Sequence, residues 1–363
     1  MVSTTPTIDF LNNPKILETE NFNKINKPTR YGNNSFENVN KFKRVLSLSK
    51  KNKRSISPPI TSSSTTVCSQ GGSVKNQAWL SHHLSQITQE QDSVVRHIAS
   101  LYIANHVDND DLVRLLATKR GFILWRKLKL LYSNPTGRVG VSLSSLGYSS
   151  SVYTHPALDR WISQFPGVAP YFSQNAKVPE FLKDCILAIV DKDVSTEGIF
   201  RKNGNIRGLN QMCETLNKTN QSSWFDYFKE HTIVQLAAFL KRFLREMPEP
   251  LLTYKLYNVF VLSNQEEASA IQIIYYAICM LPKPNRDVLL LLLAFLNWVS
   301  RHSDVNKMDV DNLARVMAPN MLYDGKTTTN FYCEMEVVSL MIKHYERLSM
   351  VSNVYIHVLY LYF

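Results

Sequence analysis

One arginine, Arg201, stands in a sequence context that would hold a positive charge at the protein surface. It directly follows the apolar pair Ile199 and Phe200, and Gly204 comes three positions later. The apolar pair predicts a backbone anchored in the core and the glycine permits an open turn, so we expect a rigid exposed loop. A guanidinium held in this way can bind phosphate oxygens through paired hydrogen bonds. Taken alone, a loop arginine is more often a solvated surface group.

Two more basic residues, Lys241 and Arg245, are four positions apart in a segment with helical periodicity. The apolar residues of this segment form one stripe: Leu236, Leu240, Phe243, Leu244 and Met247. The spacing predicts a helix over 232–247 with both basic side chains on one face, and Pro248 and Pro250 then end the helix. Alone, this pattern is that of a solvated basic helix face.

A third polar residue, Asn320, directly follows a proline in the segment from Asn312 to Asn320. The apolar spacing predicts a helix over 309–317. Because proline disrupts the interior of a helix, we expect this helix to end at Pro319 and to leave Asn320 at its exit. An amide in that position would ordinarily close a helix end or a turn.

Several other chemistries lack the residues that they need. Residues 325–327 resemble the end of a phosphate-binding loop, but Asn320 stands where that loop requires a glycine. The five cysteines form no C-x-x-C pair and the histidines lack ligand spacing, so we expect no metal and no disulfide framework. There is also no G-x-S-x-G turn. The sequence predicts neither a cofactor nor hydrolase chemistry of its own, and its cysteine usage favours a reducing, cytoplasmic location.

The elements that must position these residues are helical. Residues 178–348 show apolar positions at spacings of three and four, without a run of alternating strands. Within them the predicted helices begin at Val178 and continue over 232–247, 268–280, 288–299, 309–317 and 334–348. The predicted fold class is therefore all-α, a helical bundle. Residues 76–175 are predicted to form a helical extension followed by a loop-rich connection.

Both ends of the chain differ in composition from this bundle. The net charge of the 363 residues is +11, and residues 1–75, rich in Ser, Asn and Lys, hold +8 of it. Such a segment is predicted to be disordered. The basic cluster in 41–54 could bind an anionic membrane surface, solvate the protein or direct nuclear import. Residues 349–363 form an atypical apolar tail, and the longest apolar run, Val288–Leu296, is too short to span a membrane.

Taken together and in this order, the three motif segments resemble the Rho GTPase-activating (RhoGAP) domain family. The matching stretches are Gly198–Arg201, Leu240–Leu251 and Asn312–Asn320, and the resemblance covers residues 178–348. The helical region 77–132 and the segment Arg201–Arg207 resemble most closely the fungal members associated with cell-wall and polarity control. The LIM zinc domains that some of those proteins carry have no counterpart in this sequence.

The resemblance implies an all-helical domain that binds a GTP-bound Rho-family GTPase and switches off its signalling. Such a protein is an activator rather than an enzyme, because it completes the active site of its partner. By the resemblance, Arg201 is the arginine finger, Lys241 and Arg245 belong to the helix that contacts the GTPase, and Asn320 helps to hold the partner's switch region.

Two other classes of function remain open at the level of sequence. One is a GTPase-binding scaffold with weak or no activating function, in which residues 1–175 occlude the site; the presence of Arg201 favours activation. The other is nucleic-acid binding, suggested by an isoelectric point near 9.3. The basic residues concentrate in the tail and no nucleic-acid fold signature occurs, so we expect no nucleic acid as partner. The predicted location is cytoplasmic, with peripheral attachment at the plasma membrane through the basic tail.

Overall fold

The computed structural model of the protein describes six stretches of the chain, and helices dominate them. The described residues are 83–107, 137–219, 221, 223–261, 267–325 and 330–351. Within these stretches no β-strand forms, and the extended pairing there is a single antiparallel bridge between His83 and Met350. The prediction of an all-α fold is therefore confirmed.

The bounds of the helices agree closely with the apolar periodicity. In the described residues the α-helices are α1 (Gln89–His106), α2 (Pro156–Gln164), α3 (Glu180–Val190), α4 (Ile206–Lys218), α5 (Phe225–Lys229), α6 (Ile233–Glu246), α7 (Tyr257–Val261), α8 (Glu267–Met280), α9 (Lys283–Ser300), α10 (Ser303–Asn306), α11 (Val310–Met321), α12 (Phe331–Lys343) and α13 (Tyr345–Ser349). Short 3-10 helices occur at Leu84–Gln86, Leu143–Ser145, Pro166–Phe172 and Tyr254–Leu256. The predicted helix over 334–348 proves to be two helices, α12 and α13, which meet at His344.

Helix α9 lies at the centre of the bundle. Its residues from Val288 to Leu296 are all buried, which an apolar helix without a polar face requires. It packs against α11, α12 and α13. The apolar run in 288–296 is thus a core helix, and it provides the surface on which the candidate site rests.

The connection before residue 178 holds more regular structure than predicted. Residues 156–172 form α2 and a 3-10 helix, and their aromatic side chains Trp161 and Tyr171 are fully buried. Trp161 packs edge-on against Phe295 of α9, with 6.1 Å between the ring centroids. Large rings contribute much apolar area, so they can hold a segment rich in Gly and Pro onto the core.

Helix α1 lies within the segment predicted as a helical extension and joins the same core. It packs against α8, and its Asp92 forms a fully buried ion pair with Arg286 of α9. A second buried pair links Lys283 and Asp287, with 3.1 Å between Nζ and Oδ2. The basic tail, residues 108–136 and residues 352–363 lie outside the described residues, so their predicted states stay predictions.

Candidate functional site

Arg201 lies on the loop that joins α3 to α4. Ile199 and Phe200 are completely buried, and the Phe200 ring packs against that of Phe295 at 5.9 Å. The Arg201 side chain is 55% exposed. The prediction of an exposed arginine on a loop anchored by its apolar neighbours is confirmed.

The backbone on both sides of Ile199 adopts a left-handed conformation. Gly198 has φ of 71° and Phe200 has φ of 70°. A positive φ is uncommon for a residue with a side chain and costs about 1–3 kcal/mol, so the packing of the Phe200 ring must hold it. Because of this sharp turn, the Phe200 side chain points into the core while that of the next residue, Arg201, points into solvent.

Lys241 of α6 contacts the backbone of this loop directly. Only 8% of the residue is exposed, and its Nζ donates a hydrogen bond to the carbonyl oxygen of Phe200. Burial lowers the pKa of Lys241, and the positive charge of Arg245 lowers it further. The interpretation of a solvated basic face therefore does not hold for Lys241, which supports the residue next to Arg201.

The other end of the loop is held by Gln235 of α6. Its Oε1 accepts a hydrogen bond of 2.8 Å from the Asn205 amide, and its Nε2 donates one of 3.1 Å to the Asn205 carbonyl. Gly204 packs so closely here that a Cβ would lie 2.7 Å from Oε1 of Gln235. The glycine is thus required for close approach to α6, whereas the sequence suggested an open turn.

Neither Gln235 nor Asn205 was identified from sequence. Asn205 caps α4, because its Oδ1 accepts hydrogen bonds from the amides of Arg207 and Gly208. An asparagine directly before a helix was a usable signal for that role. Gln235 offered no such signal, since its partner lies 30 residues upstream.

Arg245 is the exposed arginine in the last turn of α6. Its neighbour Arg242 is engaged within the protein: Nε lies 2.6 Å from Glu246, and Nη1 donates to Asn210 at 2.7 Å. The three basic residues of α6 therefore have different surroundings. Lys241 supports the loop, Arg242 binds intramolecular partners and Arg245 faces solvent.

The guanidinium of Arg201 lies beside Glu197, four residues earlier in the chain. The distance from Nη2 to Oε1 is 3.7 Å, and both side chains are mostly exposed. Exposed pairs of this kind contribute about 0–1 kcal/mol. Arg201 can therefore leave Glu197 for a stronger anionic partner at small cost.

Asn320 lies inside α11 rather than at its exit. The helix continues through Pro319 to Met321, so the predicted end at the proline is wrong. A proline in the last turn removes a single amide donor from the helix, and packing of buried Met317 and Ala318 compensates for this loss. Asn320 is buried, and its Nδ2 donates a hydrogen bond of 2.8 Å to the carbonyl of Val316.

The four predicted residues occupy neighbouring elements. Arg201 and Lys241 are joined through the Phe200 carbonyl, and Arg245 follows Lys241 by one turn. Asn320 belongs to α11, which packs against α6.

In the described part of the chain no group of His, Cys, Asp or Glu residues suits a metal ion, and no helix there is long and apolar enough to cross a membrane.

Comparison with known proteins shows which domain family the region around Arg201, Lys241 and Asn320 is similar to. Residues 179–326 match the sequence profile of the RhoGAP domain. Rho-type GTPase-activating protein 1 of Schizosaccharomyces pombe is 39% identical over 179 residues, which cover 47% of this chain and 15% of that protein. Rho-GTPase-activating protein LRG1 of Saccharomyces cerevisiae is 32% identical over 219 residues, or 52% of this chain and 21% of that protein. The crystal structure of human Rho GTPase activating protein 15 covers 61% of this chain and 97% of that chain, at 23% identity and a TM-score of 0.47.

The chain therefore carries a RhoGAP domain over residues 179–326, and the resemblance drawn from the three motifs is confirmed. Both of these curated relatives are fungal proteins. The chain spans only 15% and 21% of their lengths, so the likeness concerns this domain and its immediate flanks.

Proposed function

We propose that this protein is a GTPase-activating protein for a Rho-family small GTPase, and that Arg201 enters the partner's nucleotide site as an arginine finger. The observation that carries the proposal is the exposed Arg201 guanidinium on a backbone held from two sides, by Lys241 and by Gln235. The relatives named as Rho GTPase-activating proteins support the choice of partner.

The chemistry of GTP hydrolysis gives such an arginine a task. Negative charge spreads over the transferred phosphoryl group in the transition state, and a cation placed there in advance stabilises it. Arg201 supplies this cation in trans, while the GTPase keeps the nucleotide, the magnesium ion and the attacking water. The protein is then an activator and not itself an enzyme. Arg245 and Asn320 contribute to docking of the GTPase along α6 and α11.

Single-turnover GTP hydrolysis at saturating activator tests the proposal, with a panel of GTP-loaded Rho-family and Ras-family GTPases. Arg201→Ala should lose about 10³- to 10⁵-fold of the stimulated rate, while affinity for the GTPase changes far less. Arg201→Lys should recover little of the rate, because an ammonium cannot form the bidentate fork.

Arg347→Ala is the matched control, since it removes another exposed arginine, which lies on α13. It should stimulate hydrolysis as the wild type does. If the wild type binds the GTPase without accelerating hydrolysis, or if Arg201→Ala keeps full stimulation, the scaffold function replaces the activator function.

We also propose that the basic segment 41–54 attaches the protein to the cytoplasmic face of the plasma membrane. Its Lys and Arg residues each contribute about 1 kcal/mol of attraction near an anionic surface. Replacing these residues by neutral ones should abolish sedimentation with phosphatidylserine vesicles and leave stimulation of the GTPase in solution unchanged. Equal sedimentation of the two proteins would exclude the membrane role.

A further inference from the structure

Asn306, the last residue of α10, is completely buried and uses both ends of its amide. Its Nδ2 donates hydrogen bonds to the carbonyl of Val194, at 3.2 Å, and to that of Val299, at 3.0 Å. Its Oδ1 accepts one from the amide of Met308 at 2.8 Å. One side chain thereby joins the Arg201 loop, the end of α9 and the segment before α11.

The backbone of Asn306 adds a second contact with the same loop. Its carbonyl accepts a hydrogen bond of 2.8 Å from the amide of Gly198, the residue whose φ is 71°. The Gly198 carbonyl in turn accepts from the amide of Lys202. A Cβ built on Gly198 would lie 3.4 Å from Nη2 of Arg201, so this residue sits directly beneath the guanidinium.

The residues after Asn306 lead into the helix that carries Asn320. Lys307 adopts a left-handed conformation with φ of 60°, and its carbonyl accepts a hydrogen bond from Nδ2 of Asn312. Helix α11 begins at Val310, only a few residues further on. Asn306 therefore fixes the loop with Arg201 relative to the start of α11.

We infer that Asn306 is a positioning residue for Arg201. This inference rests on the proposed function. Asn306 is buried and does not contact the GTPase; it acts by holding Val194 and Gly198, which lie on the N-terminal side of Arg201 in the same loop. The role requires an amide, because two donors and one acceptor are used at once and an ionised carboxylate would offer no donor.

The test measures single-turnover hydrolysis by a GTP-loaded Rho-family GTPase with the full chain. Asn306→Ala should lower the rate at saturating activator by about 10²-fold, the scale expected when a catalytic group is misplaced by about 1 Å. The affinity for the GTPase should stay close to that of the wild type. Val305→Ala is the matched control, because this neighbour is exposed and should leave both quantities unchanged.

A double-mutant cycle with Arg201→Ala separates positioning from a general structural role. If Asn306 acts through Arg201, adding Asn306→Ala to the Arg201→Ala protein should cause no further loss of rate. A further loss of similar size, or a loss of affinity instead of rate, overturns the inference.

If Asn306→Ala does not fold, a variant of the loop residue that Asn306 holds, Gly198, tests the same inference. Gly198→Ala strains the positive φ and leaves the three side-chain hydrogen bonds of Asn306 in place, so it should also lower the saturated rate. Wild-type rate in Gly198→Ala would overturn the inference. The two failures remain distinguishable: an unaffected Arg201→Ala protein refutes the proposed function, whereas an unaffected Asn306→Ala protein beside an impaired Arg201→Ala protein refutes this inference alone.

Discussion

At the scale of single residues, the site depends on how rigidly Arg201 is presented. The buried ring of Phe200 and the hydrogen bond from Lys241 hold a backbone conformation that is unfavourable by itself. Under the proposed function, an arginine on a backbone that is already placed loses less conformational freedom when it meets the phosphates, so more of the interaction energy lowers the barrier. The proposal therefore implies that the neighbours of Arg201 matter for catalysis as well as for stability.

Lys241→Met should act on the bound-state rate more than on docking. Methionine keeps an apolar stem and removes Nζ, which leaves the Phe200 carbonyl without its donor. We expect the rate at saturating activator to fall by about 10- to 10²-fold, with a smaller change in affinity. Titration of the variant against a GTP-loaded GTPase in single-turnover assays measures both quantities.

Arg245→Ala, on the same helix, should act on docking rather than on the bound-state rate. Arg245 is exposed, so its removal should weaken docking by about fivefold, or about 1 kcal/mol, and preserve the saturated rate. If Lys241→Met changes only affinity, the lysine belongs to the docking surface and its contact with Phe200 has no catalytic consequence.

At the scale of elements, the loop that carries Arg201 is positioned by helices that are distant in sequence. Helix α6 contributes Lys241 and Gln235, and the corner between α9 and α11 contributes Asn306. Helix α6 itself starts at a favourable N-cap, because the Thr232 side chain accepts a hydrogen bond from the Gln235 amide. The cap fixes the first turn of α6, from which Gln235 reaches the loop.

Gly204→Ala should separate the loop from α6. The new Cβ would lie 2.9 Å from Cβ of Ala238 and 2.7 Å from Oε1 of Gln235, so the backbone must move. We expect a loss of about 1–3 kcal/mol in the free energy of unfolding, measured by urea denaturation, and a lower stimulated rate. Gly147→Ala is the control, because nothing lies within 4 Å of its Cβ position. Equal stability of the two variants would contradict the close approach of the loop to α6.

At the scale of the molecule, α1 belongs to the same core as the RhoGAP domain. The buried pairs of Arg286 with Asp92 and of Lys283 with Asp287 lie next to His83, at the start of the described chain. His83 contacts the hydroxyl of Tyr171 at 3.1 Å and accepts from the amide of Ser85. Burial, together with the positive charges of Lys283 and Arg286, lowers the pKa of His83 from 6.5 to about 3.

This environment predicts a loss of stability in mild acid. The unfolded chain binds a proton at His83 below about pH 6.5 while the folded protein does not, so the stabilising contribution is present above that pH and falls as pH decreases. The free energy of unfolding should fall about 1.4 kcal/mol more per pH unit in the wild type than in His83→Gln once pH is below 6.

Urea denaturation at several values of pH between 6 and 5 measures this difference in slope. His97→Gln, at an exposed position of α1, is the matched control and should keep the slope of the wild type. Identical slopes for the wild type and His83→Gln would show that the buried histidine is protonated in the folded protein too.

The sequence by itself determined the all-α class, most of the long helices and the exposed Arg201 beside a buried pair, because periodicity and local apolar anchoring are properties of neighbouring residues. It also carried the three motifs that identify the RhoGAP domain. It misplaced the end of α11 at Pro319, since the packing of the last turn outweighed one missing amide donor.

Only the tertiary structure decided what supports Arg201. Lys241 meets the carbonyl of Phe200 across 41 residues, and Asn306 meets that of Val194 across 112. Such hydrogen bonds depend on how the helices pack, and no spacing within one segment encodes them. The physical reason is that a buried polar side chain is defined by the partners that folding brings to it, whereas a helix is defined by residues that are already adjacent.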